Sequence, residues 1–149
     1  MKIEDEIKGR FRNDYHRAII NLTYTVNQLG YQLMQSIKAH GLTEPQYNVL
    51  RVLRGFRSEG SISINFIKER MLDKSSDVSR IVDNLLEKDL ISRKESSLDR
   101  RQKEIEITDK GLNLLSEMIE CDKKADQLLQ NLTLDEVNEL NRILDKIRS

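Results

Sequence analysis

The chain has 149 residues, 25 of them Lys or Arg and 25 Asp or Glu, so its formal net charge is zero although 34% of its residues are charged. That length fits one domain, or one fold with an appended interaction element, and is enough to bury a core without staples. The charge balance excludes a globally basic nucleic-acid coat and an acidic solvating tail, and a single Pro, six Gly and strong apolar periodicity exclude disorder.

Met1-Lys2-Ile3-Glu4-Asp5-Glu6 lacks the apolar stretch of a secretory leader. Ile3, Ile7, Phe11, Tyr15, Ile19, Leu22, Val26, Leu29, Leu33 and Ile37 follow one another at steps of three or four. This spacing predicts a long amphipathic helix, broken once near Gly9 or Gly30. Residues 18–37 carry no charge, but eight of those twenty are Asn, Gln, Ser or Thr, a heavy polar load for a lipid-facing helix. The expectation is a soluble, cytoplasmic protein that does not enter a membrane. The opposite face, Ile20, Tyr24, Gln28, Tyr31 and Gln35, is also uncharged. A helix without charge on either face is covered on both sides, here by its own domain and by a second subunit. The alternative is a small-molecule cavity lined by Tyr24, Gln28 and Tyr31.

Gly41 stops this helix, and Thr43-Glu44-Pro45-Gln46 opens the next with a capping box and a proline in the first turn. Val49, Leu50, Leu53 and Phe56 form its buried face, and Gly55 to Ser63 is a polar break. Ser63 caps a third, short helix through Ile64, Ile67 and Met71 that ends near Asp73. Asp73 or Ser75 caps a fourth, with Val78, Ile81, Val82, Leu85 and Leu86 inward and Ser76, Ser79, Arg80, Asp83 and Asn84 outward. Leu90–Glu95 and Lys103–Ile107 read as two strands joined by a polar tip. Thr108 caps a fifth helix with Leu112, Leu115, Ile119 and Leu129 inward. Thr133-Leu134-Asp135-Glu136 is a second capping box and starts a sixth through Val137, Leu140, Leu144 and Ile147.

Neutrality hides an asymmetry: residues 1–103 hold 19 basic and 14 acidic side chains, and residues 104–149 hold 6 and 11. A local basic surface is therefore available. Two short helices joined by a tight turn and followed by a basic hairpin are arranged as in a winged helix-turn-helix. The second helix of the pair suits the major groove and offers Ser76, Ser79, Arg80 and Asn84, with Arg80 able to hold a guanine edge. Ser75 and Ser76, beside the free N–H groups of the helix start, suit a phosphate. The hairpin tip holds Arg100 and Arg101, backed by Arg93, Lys94 and Lys103, and an extended arginine suits a narrow minor groove. Against this, Arg80 is three residues from Asp83 and could simply pair with it on a solvated face.

From about Gly41 to Gly111 the sequence resembles the MarR family of bacterial winged-helix transcriptional regulators. The residues that carry the resemblance are Gly41-Leu42-Thr43-Glu44-Pro45-Gln46, Ser79-Arg80-Ile81-Val82-Asp83-Asn84-Leu85, Leu98-Asp99-Arg100-Arg101 and Ile107-Thr108-Asp109-Lys110-Gly111. The last two match the family's Asp-x-Arg wing signature and the Leu-Thr-x-x-Gly motif with which its fifth helix begins. The resemblance implies a mainly α fold with a small β-wing, made of an N-terminal dimerisation helix (1–40), a winged lobe (41–108) and C-terminal dimerisation helices (109–149). It implies a homodimer reading an inverted repeat, with Arg101 in the minor groove and Asp99 holding the wing through an ion pair. Asp89 stands where relatives often have Gly, at a turn whose left-handed conformation Asp tolerates.

The function expected is that of a double-stranded-DNA-binding regulator, in the first instance a repressor, modulated by a small aromatic ligand. A winged helix used for protein binding and a ligand-independent regulator are the alternatives. Cys121 is the only cysteine, which excludes an intramolecular disulfide and points to a reducing compartment and a buried thiol. His16 and His40 lack a cluster at ligand spacing, so no metal and no cofactor are expected. No nucleophile–base constellation or phosphate loop nominates an enzyme.

Overall fold

The computed structural model describes residues 1–95 and 103–149. In chain order the elements are α1 (Ile3–Ile7), α2 (Asp14–Lys38), α3 (Glu44–Gly55), a 3-10 turn (Arg57–Glu59), β1 (Ile62–Ser63), α4 (Ile64–Glu69) and α5 (Val78–Glu87), followed by β2 (Ile91–Glu95), β3 (Lys103–Ile107), α6 (Asp109–Glu117), α7 (Ile119–Gln127) and α8 (Leu134–Arg148). The class is the expected one, mainly helical with a small wing. The sheet is antiparallel in the order β1-β3-β2, pairing Ile62 with Ile105 and Ile91 with Ile107.

The first long helix breaks on the Gly9 side. Lys8 takes a left-handed conformation, and α2 restarts when the Asn13 side chain accepts a hydrogen bond from the His16 N–H at 2.9 Å. Gly30 leaves α2 unbroken. Four further caps lie at the predicted residues: Thr43 and Thr133 in capping boxes, Ser63 on Phe66 N and Thr108 on Gly111 N. Each satisfies a backbone N–H that the helix itself cannot.

The cap of α5 falls elsewhere. Asp77, not Asp73 or Ser75, accepts from the Arg80 N–H at 3.2 Å. Asp73 instead closes a local turn, accepting from Ser75 N at 2.9 Å and Ser75 Oγ at 2.6 Å. Those bonds hold its carboxyl below the ordinary aspartate range. With Asp73 and Ser75 spent on each other, the next acceptor along the chain starts the helix.

Val49, Leu50 and Leu53 of α3, Ile67 of α4, Val78, Val82 and Leu85 of α5, and Ile91 and Ile105 of the sheet make one core, joined by Leu115 and Met118. The predicted fifth helix is two. It breaks at Met118, which turns Met118 and Cys121 into the core and leaves Ile119 54% exposed. The inward Ile119 and Leu129 expected of an uninterrupted helix are thus corrected by a shift of phase at the break.

Gly111 explains its own motif. A Cβ at this position would lie 2.3 Å from the Leu90 carbonyl oxygen, so α6 can sit against the α5–β2 turn only with glycine there. Asp89 in that turn has φ 58°, the left-handed conformation expected of it. Its carbonyl accepts from Thr108 Oγ1 at 2.7 Å.

Candidate nucleic-acid interface

α5 is the second helix of the helix-turn-helix pair, and its two faces differ sharply. Val78, Val82 and Leu85 anchor it in the core, while Ser79, Arg80 and Asp83 are exposed and Asn84 is half-buried. Arg80 has no ion-pair partner among the described residues, because Asp83 pairs with Arg93 of β2 instead, at 3.3 Å. A cation held on a rigid helix without a carboxylate partner is available to a base edge or a phosphate. Arg93, expected as a direct contact, also serves the fold, since its ion pair ties the wing strand to the outer face of α5. Lys94 lies 3.8 Å from Glu106 on the neighbouring strand.

Ser76, expected on the outer face of the helix, and Ser75, expected at its start, both lie in the turn before it. The Ser75 hydroxyl is engaged by Asp73, and Ser76 Oγ is buried without a hydrogen-bond partner among the described residues. Lys103 opens β3 in register with Glu95. Asp99, Arg100 and Arg101 lie outside the described residues.

A second feature lies where α2, α3 and α7 meet. A cavity of about 340 Å³ is lined by Leu33, Ile37, Tyr47, Asn48, Arg51 and Cys121, with Leu72 at its edge. Its polar wall is organised by Asp122, which accepts from the Tyr47 hydroxyl at 2.7 Å and faces Arg51 at 3.6 Å and Arg54 at 4.0 Å. Burial, with the Asp122 carboxylate beside it, pushes the Tyr47 phenol up to about 12. Cys121 is buried, its sulfur 3.4 Å from Ser36 Oγ.

Tyr24, Gln28 and Tyr31, the predicted pocket residues, do not line this cavity. Gln28 and Tyr31 are exposed on α2. Tyr24 donates to Glu6 of α1 at 3.0 Å, which raises its pKa. The residues of α2 that do line the cavity are Leu33 and Ile37, on the stripe read only as core, which turns toward α3 and α7. Nothing in the sequence signals Asp122 or Asn48, since a lone polar side chain on a helix carries no periodic pattern. Asp77 is chemically as good a cap as Asp73 or Ser75, and only the turn decides between them.

No helix among the described residues is long and apolar enough to cross a membrane, and these residues hold no cluster of His, Cys, Asp and Glu that could bind a metal.

An apolar-anchored helix offering Ser79 and an arginine free of carboxylate partners among the described residues, behind a tight turn and beside a two-stranded wing, has the arrangement of a winged helix-turn-helix protein of the DNA-reading class. Residues 40–102 match the sequence profile of the MarR family. The chain is 29% identical over 130 residues to the HTH-type transcriptional regulator MgrA of Staphylococcus aureus, covering 87% of this chain and 84% of that protein. It is 26% identical over 132 residues to the HTH-type transcriptional regulator MhqR of Bacillus subtilis, covering 88% and 89%. The fold matches S. aureus MepR in its DNA complex with a TM-score of 0.75, at 23% identity over 93% of this chain and 97% of that one. It matches the organohalide-sensing regulator RdhR in its 2,4-dichlorophenol-bound form with a TM-score of 0.78, at 19% identity over 94% and 85%. The winged lobe of this chain is thus similar to the MarR family of winged-helix transcriptional regulators, and most of its length is similar to HTH-type regulators of two bacteria.

Proposed function

We propose that this regulator acts as a homodimer on an inverted-repeat operator, as a repressor whose hold on DNA is altered by a small aromatic ligand. The observation that carries the reading is the exposed apolar stripe Tyr15, Ile19, Leu22 and Val26 on α2, outside a lobe whose own core is complete. Such a stripe calls for a cover of like character, and a second copy supplies one while setting two α5 helices on one duplex face. Residues 1–40 and 109–149 then serve dimerisation, and residues 41–108 read DNA. Ser79, Arg80 and Asn84 face the major groove, with Ser75 and Ser76 near the backbone. Arg93, Asp99, Arg100, Arg101 and Lys103 belong to the wing.

The ligand's place is the cavity between α2, α3 and α7. Its size suits one small ring, and its walls come from both the lobe and the flanking helices. That the fold neighbour RdhR is seen with 2,4-dichlorophenol supports an aromatic occupant. A ligand shifts DNA affinity here only if it binds one spacing of the two lobes better than the other.

The test is fluorescence anisotropy with DNA from upstream of the protein's own gene and with scrambled DNA, at several salt concentrations. Expected is tight, salt-sensitive binding that prefers the native fragment. A genome-wide selection that recovers no preferred fragment would refute the reading. Arg80→Ala should relax preference at one position per half-site at a cost of about 1–3 kcal/mol, and Arg101→Ala should weaken all sequences and flatten the salt slope.

A further inference from the structure

The turn from Arg70 to Asp77 leads into α5, whose anchors in the core are Val78, Val82 and Leu85. Met71 is buried and pins the start of that turn, but the next residue, Leu72, is 85% exposed and gains nothing from packing. The other hydrogen bonds of the turn are local. Arg70 donates to Phe66 O and Lys74 to Glu69 O, both in α4, while Asp73 holds Ser75 within the turn. Among the described residues, one hydrogen bond alone joins this turn to an element other than α4 and α5. The Leu72 N–H donates to Asn48 Oδ1 of α3 at 2.9 Å.

Asn48 stands between two hollows. On one side is the cavity bounded by α2, α3 and α7, and on the other a smaller one of about 120 Å³ edged by Pro45, Met71 and Ser76. Glu44 borders both hollows as well, but it is the Asn48 carboxamide that takes the Leu72 N–H.

We infer that Asn48 is the positioning residue of the DNA-reading helix, its carboxamide oxygen fixing the turn at Leu72 and so the pose of Ser79 and Arg80 over the base edges. The inference rests on the DNA-reading role of α5 and adds a residue that acts through Leu72 rather than on DNA. A residue of this kind serves specificity rather than general affinity. Phosphate contacts tolerate a small tilt of α5, whereas bidentate base contacts do not.

The experiment uses the full chain with Asn48→Ala and Asn48→Asp, on the DNA fragment the parent selects from its genome and on scrambled DNA. Amide exchange of the 71–77 segment is followed alongside. In N48A, exchange there should quicken roughly fivefold to tenfold while residues 49–53 stay protected. Affinity for the selected fragment should fall by a similar factor, with scrambled DNA within about twofold. N48D keeps the acceptor, so exchange should stay slow. Its added charge weakens both DNAs alike, and the ratio of native to scrambled affinity should remain that of the parent.

Parent-like exchange or a parent-like ratio in N48A would overturn the inference. An equal loss on both DNAs would also do so, because it would mark Asn48 as a phosphate contact. A parent that selects no fragment would overturn the regulatory reading and this inference with it, whereas a selective parent beside a parent-like N48A overturns this inference alone.

Discussion

In α3, Val49, Leu50 and Leu53 are buried to 2% exposure or less, whereas none of the fifteen residues of α8 is buried, although Leu134, Val137, Leu140, Ile143, Leu144 and Ile147 are apolar. α2 shows the same contrast within one helix: Ile37, at the end that meets α3 and α7, is buried, and Tyr15, at the other end, is 86% exposed. Both regions follow the same apolar periodicity. The lobe meets that pattern with partners from its own chain, and the flanking helices do not. The difference teaches that amphipathic spacing reports that a face will be covered, without reporting by what.

Substitutions on the two sides of this contrast should behave oppositely. The largest effect expected is that of Val26→Glu, which places a charge on the uncovered stripe. If the proposed dimer forms through this stripe, the change should leave the lobe folded, yield monomer in sedimentation, and lower operator affinity at least about a hundredfold through loss of the linked second half-site. Leu50→Ala should destabilise the lobe by about 2–5 kcal/mol in urea unfolding, since it removes fully buried side-chain volume. Gly111→Ala tests the junction of the two regions. Its Cβ meets the Leu90 carbonyl, and about 1–3 kcal/mol should be lost as α6 is pushed from the α5–β2 turn.

Tyr47 links the lobe to α7 through Asp122 and makes that link dependent on pH. Its folded pKa is raised from the ordinary 10 to about 12, so the protonated phenol is favoured in the fold. The corresponding stability is fully present below pH 10 and is lost as pH rises through about 12. The advantage of the parent over Tyr47→Phe in urea unfolding should therefore shrink across that window. The smallest effect expected is that of Arg142→Ala in α8. Its ion pair with Glu139 is on the surface and screened by solvent, so removing it should leave the urea midpoint essentially where the parent has it.

Much of this protein is legible because its signals are local. Thr43, Ser63, Thr108 and Thr133 cap the helices their positions predict, because a hydroxyl and an N–H three residues on suffice. Asp89 takes its left-handed turn for the same kind of reason. The start of α5 is not legible in this way, because Asp73, Ser75 and Asp77 are chemically equivalent candidates. Hydrogen bonding between Asp73 and Ser75, absent from any one-residue preference, leaves the cap to Asp77. The phase of α7 is hidden because the break at Met118 follows from packing on the core and not from a glycine or proline. The cavity beside α3 and α7 is hidden in the sequence, since Leu33 and Ile37, which line it, look like ordinary core.

By itself the sequence determined the order of the main helices and of the two wing strands, most helix starts and the buried faces of the lobe, all of which depend on residues within a few positions of one another. The short β1 and the division of α6 from α7 did not show in it. Only the tertiary structure decided that Arg93 pairs with Asp83, that Tyr47 and Arg51 converge on Asp122, and that Asn48 holds Leu72. Those contacts join residues 10 to 75 positions apart, and a side chain gives no sign of its distant partner until the backbone has brought the two within hydrogen-bond reach.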